Sequence, residues 1–122
     1  MDPEKPQSTP NRFVVLRHDS PAGVHFDFML DVGDALKTWS LSQPPQPGLE
    51  IAATPLADHR RAYLDYEGPV SNDRGSVIRC DAGAYITIRQ TDSEWVLDIS
   101  GENYRGRLTI QLNGSNNTVF YC

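Results

Sequence analysis

The chain has 122 residues, 39% hydrophobic and 22% charged, with nine glycines, nine prolines and a formal net charge of −5. Those figures describe one globular, turn-rich domain and exclude a collagen-like or disordered chain. The acidic balance argues against a sequence-blind binder of duplex DNA, though not against a metalloenzyme on nucleic-acid ends, where bound cations add local positive charge. No apolar run nears the ~20 residues of a membrane-spanning helix, and "MDPEKPQSTPNR" lacks the apolar stretch of a secretory leader. A soluble, cytoplasmic protein is therefore expected, with 1–11 as a flexible tail and 12–122 as a single domain. Cys80 and Cys122 are too few for a disulfide framework and read as reduced thiols.

In chain order, period-two alternation predicts strands at 12–18, 24–32 and 35–42, joined by "DSPAG" and "GD". The proline-rich "QPPQPG" is a loop. The stretch "RRAYLDYEG" at 60–68 alternates next. After "PVSNDRG" come "SVIRCD", "AYITIRQ", "EWVLDIS", "YRGRLTIQL" and "TVFYC", separated by "AG", "TDS", "GEN" and "NGSNN". No long window carries a helical stripe. Many short strands at close spacing predict an all-β, mainly antiparallel sandwich or barrel.

Alternation also assigns faces. Val24, Phe26, Phe28 and Leu30 are expected in the core, with His25, Asp27 and Met29 turned the other way. In 59–67, His59, Arg61, Tyr63, Asp65 and Glu67 would share one face. In 104–112, Tyr104, Gly106, Leu108, Ile110 and Leu112 would point together, and Arg105, Arg107, Thr109 and Gln111 oppositely. His25 and Asp27, two apart on a strand, lie roughly 6.5–7 Å apart at the backbone and can close on one ion from the same side. His18, ending the previous strand of a hairpin, can add a third ligand. Such a mixed nitrogen and oxygen set suits Mn²⁺, Fe²⁺ or Zn²⁺. His59 and Tyr63 are candidates to touch a phosphate or orient a nucleophile, and Arg17, Arg61, Arg105 and Arg107 to pair with phosphate oxygens.

The motifs occur in an order that resembles the 3′-phosphoesterase domain of bacterial DNA ligase D, a module also found as stand-alone proteins. The resemblance is carried by "VVLRHD", "VHFDFML", "LKTW", "DHRRAYLDYEG" and "ENYRGRLTIQL", from about residue 12 to 112. It implies a compact closed or partly open β-barrel with its site in a groove on one side. It implies His18, His25 and Asp27 as ligands of a catalytic divalent ion, typically Mn²⁺, with Zn²⁺ or Co²⁺ as alternatives. His18, His59 and Tyr63 would be catalytic, supported by Asp19 and Asp58. The implied reaction removes 3′-terminal ribonucleosides or 3′-phosphates from DNA or RNA ends at a primer–template junction. A monomer is expected, with ligase and polymerase supplied by separate chains.

The departures concern the phosphate clamp. Met29 and Gln43 stand where the family has basic residues, and "LEIAATPLADH" lacks an arginine expected before Asp58-His59. Arg61 is the expected substitute. A catalytically weakened relative that binds metal and nucleic-acid ends is the main alternative. A different class, an iron oxygenase using His25, Asp27 and His59, would leave His18 unexplained.

Overall fold

The computed structural model describes residues 10–122 and is almost entirely antiparallel sheet. Its strands are β1 (Asn11–Ser20), β2 (Gly23–Asp31), β3 (Leu36–Leu41), β4 (Glu50–His59), β5 (Gly68–Pro69), β6 (Ser76–Gln90), β7 (Glu94–Gly101), β8 (Arg105–Gln111) and β9 (Asn117–Tyr121). They are ordered β1-β2-β3-β4-β9-β8-β7-β6-β5, and a further β1–β6 pairing closes all but the two-residue β5 into a ring. The fold is thus the expected all-β, partly barrel-like one. Among the described residues no helix is long and apolar enough to cross a membrane. Most of the expected tail lies outside the described residues, and Asn11, its last member, already belongs to β1.

Two apolar clusters hold the sheet from opposite sides. The barrel interior packs Phe13, Val15, Phe28, Leu30, Trp39, Tyr85, Trp95, Leu97, Leu108 and Ile110, among others. Its aromatic rings run Phe13–Phe28–Trp39–Trp95–Tyr85 at centroid spacings of 6.1–6.3 Å, within the range of favourable tilted and edge-to-face contact. The second cluster, Val14, Leu16, Met29, Leu36, Leu64 and Val77, lies on the outer face of β1, β2, β3 and β6. Residues of β1 and β2 are therefore buried on both faces, which is why "FVVL" and "FMLD" are continuous buried runs. Val24, expected in the core, is 48% exposed at the hairpin end.

Three elements differ from the alternation pattern. β4 was unread because "AATPLA" is poor in β-formers and holds Pro55. Pairing of β4 with β9 stops at Ala53, so Pro55 faces a strand on only one side, where proline is tolerated. "SVIRCD" and "AYITIRQ" form one 15-residue strand instead of two. Asp81 sits inside it and accepts hydrogen bonds from the backbone N–H groups of Glu102, Asn103 and Tyr104 at 2.9–3.2 Å, which fixes the β7–β8 turn. The stretch expected as a strand at 60–68 instead holds a single 3₁₀ turn, Arg61–Leu64. Tyr63 N donates to the Arg60 carbonyl and Asp65 N to that of Ala62.

That turn is held on the sheet by Leu64, which is buried in the outer cluster, and by two arginine–aspartate pairs of opposite sense. Arg12 reaches Asp65 at 2.6 Å, and Arg61 binds buried Asp31 through Nε and Nη2 at 3.0 and 2.9 Å. The Arg61 bonds, with the Gly33 backbone N–H, hold the Asp31 carboxyl below its ordinary range. A lowered carboxylate pKa contributes stability that is present above the unfolded value of about 3.9 and is lost as pH falls through the folded value. Arg61→Ala should therefore lower the unfolding free energy at pH 7, because it removes the two charge-assisted hydrogen bonds to the buried Asp31 carboxylate, by an amount that solvent around the half-exposed guanidinium keeps modest. Urea titrations should show the gap to wild type narrowing below about pH 4.

Candidate metal centre

The β1–β2 register sets His18 opposite His25 and Leu16 opposite Asp27, all on the outer face. Their ligand atoms converge. His18 Nδ1 lies 3.2 Å from His25 Nε2 and 3.5 Å from Asp27 Oδ2, and His25 Nε2 lies 3.1 Å from Asp27 Oδ1. Among the described residues these three form the one group of histidine, cysteine or carboxylate side chains with metal-ligand spacing. His59 is not in it, so the oxygenase grouping of His25, Asp27 and His59 does not form.

The donors fit a divalent ion on the chemistry of the site. Asp27 is 2% exposed, and its Oδ1, though close to His25, makes no aligned hydrogen bond. Burial pushes its carboxyl above the ordinary range, opposed by the His25, His18 and His59 rings. His18 Nε2 lies 2.7 Å from the Arg74 carbonyl, an acceptor only, so it carries the proton. That bond turns Nδ1 into the cluster, the usual way an outer hydrogen bond orients a histidine ligand. Ligands bound at about 2.0–2.2 Å stand roughly 3.0–3.5 Å apart, which the cluster already satisfies.

An open cleft of about 320 Å³ covers the cluster, lined by His18, Asp27, Met29, Asp58, His59, Arg60, Tyr63 and Arg74, with Ala57, Val70 and Val77. His59 and Tyr63 come together as expected, but from different elements: His59 ends β4, and Tyr63 projects from the 3₁₀ turn, their rings edge-to-face at 5.7 Å. A register shift between β3 and β4 decides the histidine's placement. Thr38 pairs with Leu56, so an unbroken ladder would set Asp58 opposite Leu36; the shift sets His59 there. His59 Nδ1 donates to the Ala57 carbonyl at 2.9 Å, leaving Nε2 for the cleft. A matching shift between β1 and β6 brings Val77 opposite His18.

The expected arginines are distributed otherwise. Arg61 is committed to Asp31 and does not line the cleft, so it does not take the place of the missing clamp. Arg17, on the inward-facing side of β1, pairs with Asp19 at 3.2 Å, and neither lines the cleft. Arg105 and Arg107 lie on β8, across the ring, where Arg107 pairs with Asp98 at 2.6 Å. Asp58 does line the cleft, 3.9 Å from Lys37. The cations actually at the cleft are Arg60 and Arg74, which the sequence reading missed. Arg74 is placed by a turn through Asn72 and Asp73, both at positive φ, which these two residue types tolerate. Its guanidinium is held by Ser71, from Nε to the carbonyl and from Nη2 to the hydroxyl.

The model of the DNA Ligase D 3′-phosphoesterase domain matches residues 16–121. The chain belongs to that family. The Multifunctional non-homologous end joining protein LigD of Pseudomonas aeruginosa is 32% identical over 91 residues, covering 70% of this chain and 11% of the relative. The chain thus spans about a tenth of that protein's length, and within this phosphoesterase family its residues 18, 25 and 27 supply the clustered donors.

A buried carboxylate with an unpaired oxygen is costly unless something binds it. Asp27→Asn should leave the metal-free protein as stable as wild type or more so. Mn²⁺ at a hundredfold excess over its dissociation constant should stabilise wild type by about 2.7 kcal/mol and the variant little. Urea unfolding with and without Mn²⁺ measures both; an equal metal effect in Asp27→Asn would remove Asp27 from the ligand set.

Proposed function

We propose that the chain is a divalent-metal-dependent phosphoesterase, with Mn²⁺ as the expected ion and Zn²⁺ or Co²⁺ as alternatives. On this reading it processes 3′ ends of DNA or RNA at primer–template junctions, removing a terminal ribonucleoside to leave a 3′-phosphate and removing a 3′-phosphate to leave a 3′-hydroxyl. The observation that carries the reading is the convergence of His18 Nδ1, His25 Nε2 and the buried Asp27 carboxylate at the floor of a cleft walled by His59, Tyr63, Arg60 and Arg74. When bound, the ion would polarise a phosphoryl oxygen and lower the pKa of a coordinated water.

The remaining roles fall to this chain's own side chains. His59, with Nδ1 fixed on the Ala57 carbonyl, offers Nε2 to hold or donate a proton at the phosphate or its leaving oxygen. Tyr63 packs against that ring and holds it in place. Arg60 and Arg74 supply the charge-assisted contacts to phosphate oxygens that Met29 and Gln43 do not. The protein would act as a cytoplasmic monomer alongside a ligase and a polymerase.

A weakened, end-binding role is the second reading, favoured by Met29. That side chain is packed into the outer apolar cluster and lines the cleft, where the family resemblance calls for an arginine.

The test is a labelled primer–template ending in a 3′-phosphate or a single 3′-ribonucleotide, with Mn²⁺ or EDTA. Conversion to a 3′-hydroxyl should vanish with EDTA and in His25→Ala, and fall by about 10²–10⁴-fold in His59→Ala. Arg60→Ala should lose tenfold or more in kcat/KM. Stoichiometric Mn²⁺ binding with no conversion of either end would favour the end-binding role.

A further inference from the structure

Beside the metal cleft lies a second cavity of about 220 Å³, lined by Arg60, Ala62, Tyr63, Tyr66, Pro69 and Ser71. Arg60 and Tyr63 line both hollows, so the two adjoin across one wall. The second is smaller than the roughly 300–1,000 Å³ of a pocket for a drug-sized ligand, a size suited to a single planar ring system. Tyr63 and Tyr66 stand at 89° with centroids 5.7 Å apart. Two perpendicular ring planes make a corner, in which a flat ring lying on one meets the edge of the other. Tyr66 is exposed, yet its hydroxyl donates to the Pro69 carbonyl, so the ring is oriented in advance and loses little freedom on binding. Arg60 precedes the 3₁₀ turn and, among the described residues, has no ion pair or side-chain hydrogen bond. His59, Tyr63 and Tyr66 follow one another at ring spacings of 5.7 Å, a reach of the order that separates a nucleotide's phosphate from its base.

We propose that this cavity is the subsite for the base of the terminal nucleoside, stacked on Tyr66 in the corner with Tyr63, with Arg60 between base and phosphate. The inference rests on the end-processing reading above. In the reaction it serves, a water oxygen bonds to phosphorus and the bond from phosphorus to the nucleoside's 5′ oxygen breaks. The nucleoside leaves with that oxygen protonated, and the strand keeps a 3′-phosphate. A 3′-phosphate end has no such nucleoside to place. Stacking accepts every base, so the four terminal ribonucleosides should be handled alike.

The experiment compares wild type, Tyr66→Leu and Tyr66→Phe for kcat/KM on a 3′-ribonucleoside end relative to a 3′-phosphate end. Tyr66→Leu keeps apolar bulk under the turn but removes the aromatic face, and its ratio should fall about tenfold, mainly through KM. Tyr66→Phe should hold the ratio within about threefold. An unchanged ratio in Tyr66→Leu would overturn the subsite. Independently of turnover, adenosine titrated into wild type should shift the Tyr63 and Tyr66 ring-proton resonances, and in Tyr66→Leu should leave the Tyr63 resonances in place. Absence of those shifts in a protein that processes both ends sinks the subsite alone. Shifts in a protein that processes neither end would leave a nucleoside site standing and sink the end-processing reading.

Discussion

The antiparallel register of β1 and β2 is the constraint on which the site depends. Side chains alternate with period two, so a slip of one residue would send His25 and Asp27 to the barrel interior and Phe26 and Phe28 outward. What prevents the slip is burial on both faces: Phe13, Val15, Phe28 and Leu30 inside, Val14, Leu16 and Met29 outside. The apolar residues between the three donors thus determine where the donors sit. With His18 opposite His25 and Leu16 opposite Asp27, the three donors meet without any loop having to fold around them.

The cluster is electrostatically unfinished on its own. A carboxylate that is nearly fully buried, an oxygen without an aligned donor, and two imidazoles sharing one small volume are unfavourable company in a low-dielectric setting. The stability comes from elsewhere: the outer apolar cluster immediately beneath, and the carbonyls of Arg74 and Ala57 that orient His18 and His59. Unpaired acceptors grouped in this way, with their cost offset around them, fit the divalent cation of the proposed function.

The segment from Arg60 to Arg74 completes the arrangement. It crosses the outer face as a strap, pinned by Leu64 in the apolar cluster and by the Arg12–Asp65 and Arg61–Asp31 pairs. These two arginines are structural, and their commitment leaves Arg60 and Arg74 as the cations facing the cleft. The strap also carries Tyr63 and Tyr66, so the whole second hollow and one side of the first belong to one short segment whose position is set by contacts away from them.

The sequence by itself determined the all-β class and seven of the strand segments in outline, because alternation is a property of neighbouring residues; spacing made His18, His25 and Asp27 a candidate donor group, and the family resemblance singled them out. His59 and Tyr63 were legible as a pair through family resemblance, although the strand assumed to join them is a 3₁₀ turn. Only the tertiary structure decided which arginines are free. Arg60 and Arg61 are adjacent and chemically identical, and the difference between them is Asp31, 30 positions away from Arg61. Likewise the placing of His59, and not Asp58, opposite Leu36 rests on one shifted register between β3 and β4. Pairings and shifts of this kind are set by packing between distant segments, and no local pattern encodes them.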